Sequence, residues 1–334
     1  MPQAPLYEDN VAASDPLRAE QARELEGYIQ HLKADRSRAI RDVKKLRERF
    51  ARSIGWPPPG KPDAEPARFT KIGEDELGNY FRAVIPVLPG VHAEGIYIVP
   101  KNITGKVPLV ISMHGGGGSP EGALFHGGAN YHDMVRGGVK NGYAVFAPQH
   151  LFSAPGFPGD VRNRTDERLK LLGTSLTAVE IAKITRSLDV LLKRPELDPR
   201  RVAMVGLSYG GYYALVTPAL EPRIKVAVSS CYFGVQEWRY ERNELGVPSD
   251  FRFPDRFTLF RDTELVALIC PRALLIQAGK GDDDEHRAGG VALAPESATF
   301  YEKLGLSDRF SFLLFDGGHE FDDASAWAFL EKRL

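Results

Sequence analysis

The stretch Arg201-Val202-Ala203-Met204-Val205-Gly206-Leu207-Ser208-Tyr209-Gly210-Gly211 sets the reading of the whole chain. Its apolar first half has the length and composition of a buried strand, and the residues that follow, Tyr212 to Leu220, have those of a helix. A serine between a strand and a helix, flanked by glycines two residues away on either side, occupies a turn too sharp for ordinary backbone. Gly206 and Gly210 remove the side chains that would collide there. Such a turn lifts Ser208 Oγ above the sheet edge. It also aims the Tyr209 amide and the positive end of the following helix at the same point. The pattern G-x-S-x-G alone is weak evidence. With 33 glycines in 334 residues it arises by chance in roughly one chain in five, so the weight rests on its placement.

Outward from this turn, apolar runs alternate with helical patterns. Strands are expected at Phe81–Leu88, Ala93–Val99, Pro108–Met113, Tyr143–Ala147, Arg201–Val205, Ile224–Val228, Ala273–Gln277 and Phe310–Phe315. Helices are expected near Leu124–Val139, Ala178–Leu192, Tyr209–Leu220, Pro295–Leu304 and Asp322–Leu334. Continuous apolar strands between helices indicate an α/β fold, a mostly parallel sheet covered on both faces. The segment 232–261 is less regular, with Trp238, Tyr240, Phe251, Phe253 and Phe257 among charges. It is expected to lie over the carboxyl edge of the sheet, where open α/β sheets bind ligands, as a cap-like segment. Its aromatics suit either an acyl pocket or the packing of a long loop.

Residues 1–60 read as a helical extension and linker ahead of a single catalytic domain at 61–334. From Pro16 to Phe50, Leu25, Ile29, Leu32, Ile40, Val43, Leu46 and Phe50 recur at three- and four-residue steps over much of the stretch, predicting one or two amphipathic helices packed on a core. Between Asp15 and Arg52 there are 11 Lys+Arg and 7 Asp+Glu, a net +4 that suits a solvated outer face. Trp56-Pro57-Pro58-Pro59-Gly60 then ends helical structure.

Composition narrows the classes of function. The 43 Lys+Arg and 44 Asp+Glu balance to a formal charge of -1, leaving no basic excess to hold nucleic acid. The first residues lack a signal-peptide pattern, and no apolar run approaches the roughly 20 residues needed to cross a bilayer. A soluble, cytoplasmic protein is expected, without a membrane partner and open to homo-oligomer formation. Cys231 and Cys270, the two cysteines, read as buried free thiols.

Three further patterns supply partners for Ser208. Met113-His114-Gly115-Gly116-Gly117-Gly118 follows the expected strand ending at Met113. Bare backbone there suits an N–H donor for an oxyanion beside that of Tyr209, with Gly116 the first candidate and Gly117 the second. Ser119-Pro120 follows the glycines where a Walker-type phosphate loop would need Lys-Ser/Thr. The general base that a serine hydroxyl requires is sought among eight histidines. His319, in Phe315-Asp316-Gly317-Gly318-His319-Glu320-Phe321, sits on a glycine turn between the last strand and the last helix. His126, His132, His150 and His286 lack such placement, and His114 is expected to brace its loop. His126 and His132 beside Asp133 are six residues apart, not a usual ligand step on a helix, so no metal or other cofactor is expected. Gly279-Lys280-Gly281-Asp282-Asp283-Asp284 follows another strand and offers three carboxylates to orient His319. Asp282 has the best spacing from Gly279, but the run leaves the choice open.

The HGGGG loop, the GLSYGG turn, the G-x-x-D turn at 279–282 and the GGHEF turn together resemble the α/β-hydrolase superfamily, in its dienelactone-hydrolase and acetyl-xylan-esterase-like group. The flanking LLGTSL at 171–176 and the run from Leu197 to Gly211 are similar too. The resemblance covers roughly Tyr80 to Leu334. It implies an α/β-hydrolase fold, a triad of Ser208, Asp282 and His319, and hydrolysis of small-molecule esters with short, acetyl-type acyl groups. The run of three aspartates departs from the group's single acid followed by apolar residues. Ser208-Tyr209-Gly210 also resembles the catalytic domain of prolyl-oligopeptidase-like peptidases. Those carry a β-propeller, whereas the residues before Tyr80 read here as helix and linker. A non-catalytic ligand-binding protein on the same fold is a further alternative, though such proteins typically lose the serine or the histidine.

Overall fold

The computed structural model describes residues 4–334 except 36, 38, 102, 126–129, 153–158 and 243–246. Among the described residues nine strands form one sheet: β1 (Arg68–Glu74), β2 (Gly78–Leu88), β3 (Val91–Pro100), β4 (Val107–Met113), β5 (Ala144–Pro148), β6 (Leu197–Leu207), β7 (Val226–Ser230), β8 (Ala273–Gly279) and β9 (Phe310–Phe315). Their order is β1-β2-β3-β5-β4-β6-β7-β8-β9. The first three strands and the β3–β5 pair run antiparallel, and every pairing from β5 through β4 to β9 is parallel. The mostly parallel sheet expected from the apolar runs is present. The polar edge strand β1, six of whose seven residues are exposed, has no apolar face for periodicity to reveal.

The helices are α1 (Ala4–Ala34), α2 (Val43–Ser53), α3 (Pro120–Phe125), α4 (Met134–Lys140), α5 (Gly159–Leu171), α6 (Leu176–Leu191), α7 (Tyr209–Leu220), α8 (Gln236–Arg242), α9 (Asp262–Ile269), α10 (Asp284–Glu302) and α11 (Asp323–Arg333). Alternation along the strands splits the core in two. Leu109, Ile111 and Met113 of β4 pack with Met204, Leu274 and Ile276 under Ile181, Leu188, Tyr212, Leu215 and Leu265 of α6, α7 and α9. Val110 faces the other way, with Val145, Val205, Val228 and Leu275, under Val135 of α4 and Trp327 and Leu330 of α11. Both faces are therefore covered, which is why these strands read as unbroken apolar runs.

The N-terminal helices behave differently from each other. Asp42 caps α2 by accepting from the Lys45 N–H. Phe50 of α2 is fully buried against Phe253 and Phe260. Arg47 donates to the carbonyls of Ala219 and Leu268, which ties α2 to the ends of α7 and α9. By contrast Val11, Leu17, Leu25, Tyr28 and Ile29 of α1 are exposed. Near its end α1 meets the body, where Lys33 pairs with Glu237 of α8. The core packing expected for both helices thus holds for α2 and not for most of α1.

Candidate active site

Register carries the site residues to one edge of the sheet. Met113 pairs with Gly206 at the ends of β4 and β6, and Leu207 with Ser230 at the ends of β6 and β7. Gly279 pairs with Phe315 at the ends of β8 and β9. The loops that leave these strands carry Gly115–Gly118, Ser208, Asp282 and His319, so residues far apart in sequence share one edge.

Ser208 has φ 58° and ψ -115°, a region costly for a residue with a Cβ and typical of functional turns. Its N–H donates to the Ser230 carbonyl at 2.8 Å, which pins the turn to β7. A Cβ on Gly206 would stand 2.2 Å from the Gly210 carbonyl oxygen, and one on Gly210 would stand 2.1 Å from that of Met113. Neither position tolerates a side chain without moving backbone. That is the physical content of the G-x-S-x-G spacing here.

The glycine-rich loop turns over the same point. Gly118 N–H bonds the Gly115 carbonyl at 3.2 Å, and Gly117 has φ +72°. The Gly115 N–H is taken by the Tyr131 hydroxyl at 2.9 Å. The Gly116 N–H has no acceptor among the described residues. Tyr209 opens α7, so its N–H has no intrahelical acceptor either. His114 braces the loop, with Nδ1 against the Gly115 carbonyl at 2.8 Å and Nε2 accepting from the Gln149 amide at 3.1 Å. Its ring stacks on that of His150 at 3.8 Å. Burial pushes the His114 imidazole down to about 4 and that of His150 well below its ordinary value. Both are neutral struts.

At the other side of the cleft, the Gly281 N–H bonds the Gly317 carbonyl at 2.8 Å and locks the turns after β8 and β9 together. This brings Asp282 Oδ1 to 2.8 Å from His319 Nδ1. The Asp282 side chain is 1% exposed, whereas Asp283 and Asp284 are exposed and Asp284 pairs with Arg287. Burial alone would raise the Asp282 carboxyl. Hydrogen bonds from His286 and His319 outweigh it and hold the group well below the usual carboxylate range, so it is ionised.

Ser208, Tyr209, Gly116 and His319 line one cavity of about 420 Å³. Its far wall comes from the 232–261 segment, through Arg239, Arg242, Val247, Pro248 and Phe251. Phe251 lines the cavity and packs on Tyr209, Tyr212 and Tyr232, while Phe253 is buried beside Phe50. Asp250 lies beneath, accepting from the Tyr209 hydroxyl at 2.7 Å and the Tyr213 hydroxyl at 3.2 Å.

Two histidines set aside on sequence grounds belong here. His150 supports the glycine loop, as described above. His286 lines the cavity and places Nδ1 3.3 Å from Asp282 Oδ1. The four-residue step between Asp282 and His286, which puts both on one side of a helix start, was the signal that could have found it. His132 pairs with Glu320 at 2.6 Å, and His126 lies outside the described residues. Among the described residues, two groups bring possible metal-donor atoms within 4.8 Å of one another: Cys231, Asp282 and His319, and Asp282, Asp283 and His286. Both centre on Asp282, whose Oδ1 also meets the imidazoles of His286 and His319. Cys231 and Cys270 are free, Cys231 buried and Cys270 partly so. Among the described residues no helix is long and apolar enough to cross a membrane.

Known proteins resemble the chain in sequence and in fold. The Bacillus subtilis (strain 168) protein YtaP, named as a hydrolase, is 27% identical over 259 residues, spanning 72% of this chain and 84% of its own. A glucuronoyl esterase from Solibacter usitatus superposes with a TM-score of 0.61 at 14% identity, covering 87% of this chain and 91% of that one. Acetyl xylan esterase 1 from Thermoanaerobacterium sp. JW/SL YS485 superposes with a TM-score of 0.53 at 19% identity, covering 88% and 94%. At such identities these structures attest the fold. Residues 94–248, from β3 through Ser208 into the segment over the cleft, match the dienelactone hydrolase family. The match to the dienelactone hydrolase family thus covers residues 94–248, and the chain shares the fold of these esterase structures.

Proposed function

We propose that the protein is a serine esterase that cleaves short-acyl carboxylic esters. Ser208 attacks the acyl carbonyl while His319 takes its proton as general base. Asp282 holds the imidazole in the tautomer that leaves Nε2 free to accept, and stabilises the imidazolium that forms. The amides of Gly116 and Tyr209 receive the developing oxyanion. His319 then gives its proton to the leaving alcohol, and water releases the acid by the same steps.

The observation that carries this reading is a serine on a strained strand-to-helix turn, in one cavity with an imidazole whose Nδ1 is 2.8 Å from a buried, ionised carboxylate. The cavity volume of about 420 Å³ suits a small substrate. Esters also demand less than amides, whose poor amine leaving group must be protonated by a closely positioned acid. The test compares kcat/KM for nitrophenyl acetate, butyrate and octanoate with that for aminoacyl anilides. A graded fall with acyl length is expected, each methylene shifting discrimination by about 1–3 kcal/mol at most. Anilides turned over as fast as the acetate would replace the esterase reading with a peptidase one.

A further inference from the structure

The buried imidazole of His286 is unused by the mechanism above, yet it shares an oxygen with the machinery. Asp282 Oδ1 faces His319 Nδ1 at 2.8 Å and His286 Nδ1 at 3.3 Å. On its far side, His286 Nε2 meets the guanidinium of Arg239, from α8 of the segment over the cleft. A guanidinium carries only N–H donors, so Nε2 must accept. The neutral ring then carries its one proton on Nδ1, where the carboxylate is. The tautomer is thus dictated by Arg239 and suits donation to Asp282. His286 is 3% exposed, and burial, with Arg239 beside it, lowers its proton affinity, which keeps the ring neutral.

We infer that Arg239 and His286 form a positioning relay in which His286 donates to Asp282 Oδ1 and so fixes the carboxylate that orients His319. The inference rests on the triad assignment proposed above. Arg239 is itself held over the rings of Tyr232 at 5.5 Å and Phe251 at 5.9 Å, with Glu285 3.9 Å away. Arg239 and Phe251 line the catalytic cavity. The wall that a substrate touches is therefore connected to the triad acid through two side chains. A carboxylate shared between two imidazole donors holds the His319 proton less tightly than one serving His319 alone. The relay therefore acts on His319 through the carboxylate oxygen that both imidazoles share. Among the described residues, the charged and titratable groups that face the Asp282–His286 pair are Arg239 from α8, Asp283 and Glu285 around the start of α10, His319 from the turn after β9 and Cys231 from the end of β7.

Three variants in the full chain test it: His286→Phe, His286→Asn and Arg239→Gln. An Asn side-chain amide can occupy the place of Nδ1 and donate to Asp282, whereas Phe fills the space and donates nothing. The primary readout is the titration midpoint of His319, followed by NMR of ¹⁵N-labelled histidine, which needs no substrate. In His286→Phe the midpoint moves to higher pH, because Asp282 then serves one imidazole alone. His286→Asn returns it toward the wild-type value, and Arg239→Gln gives an intermediate shift. With nitrophenyl acetate, His286→Phe lowers kcat on the order of 10²-fold, the cost of a misplaced catalytic group, with KM little changed, and His286→Asn recovers most of the loss. A His319 midpoint and kcat unchanged in His286→Phe would overturn the relay, as would equal impairment of the Phe and Asn variants. Failure of the esterase reading looks different: wild type and Ser208→Ala would show the same ester turnover, while the NMR titrations still report on the relay.

Discussion

Asp282, Asp283 and Asp284 are chemically identical and adjacent, yet of the three it is the first that lies buried against His319. The turn after β8 sends Asp282 inward to 1% exposure and 2.8 Å from the imidazole, while its two neighbours are exposed at the start of α10. Spacing from Gly279 pointed to the residue that lies against His319 but could not exclude the others, because side-chain direction in a tight turn depends on backbone angles that composition does not encode. Asp282→Asn is expected to lower kcat roughly 10⁴-fold, by analogy with the loss of an orienting acid in a triad. Asp283→Asn and Asp284→Asn should each stay within about threefold of wild type, since neither touches His319 and exposed substitutions are usually worth less than about 0.5 kcal/mol. Steady-state kinetics of the three single mutants decide it. An inactive Asp283→Asn would move the acid by one residue. His286 shows the complementary failure of sequence reasoning. Its significance lies in a contact with Asp282 and Arg239, and only the four-residue step from Asp282 hinted at it.

Among the elements, the turn that carries Ser208 was legible because its pattern has one physical solution. A Cβ on Gly206 or Gly210 would meet backbone at 2.2 Å or 2.1 Å, so the turn between β6 and α7 demands glycine. Helix α5 was not legible. Its residues, GDVRNRTDERLKL, are mostly polar, and the helix is set by burial of Arg162 and Asp166, which no apolar stripe announces. The N-terminal helices divide in a way that apolar periodicity does not foresee. Phe50 of α2 is fully buried and Arg47 bonds two helix-end carbonyls, whereas Leu17 and Leu25 of α1 are 67% and 64% exposed. Removal of residues 1–34 is expected to leave the melting temperature within a few degrees of wild type. Phe50→Ala in the full chain should cost about 3–5 kcal/mol, as for other large buried aromatics. Thermal and urea denaturation measure both. A large loss on removing α1, or a neutral Phe50→Ala, would reverse the assignment of which helix supports the domain.

For the molecule as a whole, the class of fold followed from strands buried on both faces, each read from its own apolar run. The order of those strands did not, since β5 lies between β3 and β4 through pairings that leave no local trace in sequence. That order matters for chemistry. It sets β4 beside β6, and β8 beside β9, so that the glycine loop meets the serine and the carboxylate meets the imidazole. With a formal charge of -1 the molecule has no large net field to draw charged partners. The account depends most on Ser208 being an activated nucleophile. The direct measurement is intact and peptide mass spectrometry after a brief exposure of the native protein to a fluorophosphonate, alongside Ser208→Ala and His319→Gln proteins of unchanged circular dichroism. The account predicts one stoichiometric phosphonyl adduct on the peptide containing Ser208, none in Ser208→Ala, and strongly slowed labelling in His319→Gln. An unlabelled wild-type protein, or an adduct that persists in Ser208→Ala, would contradict it.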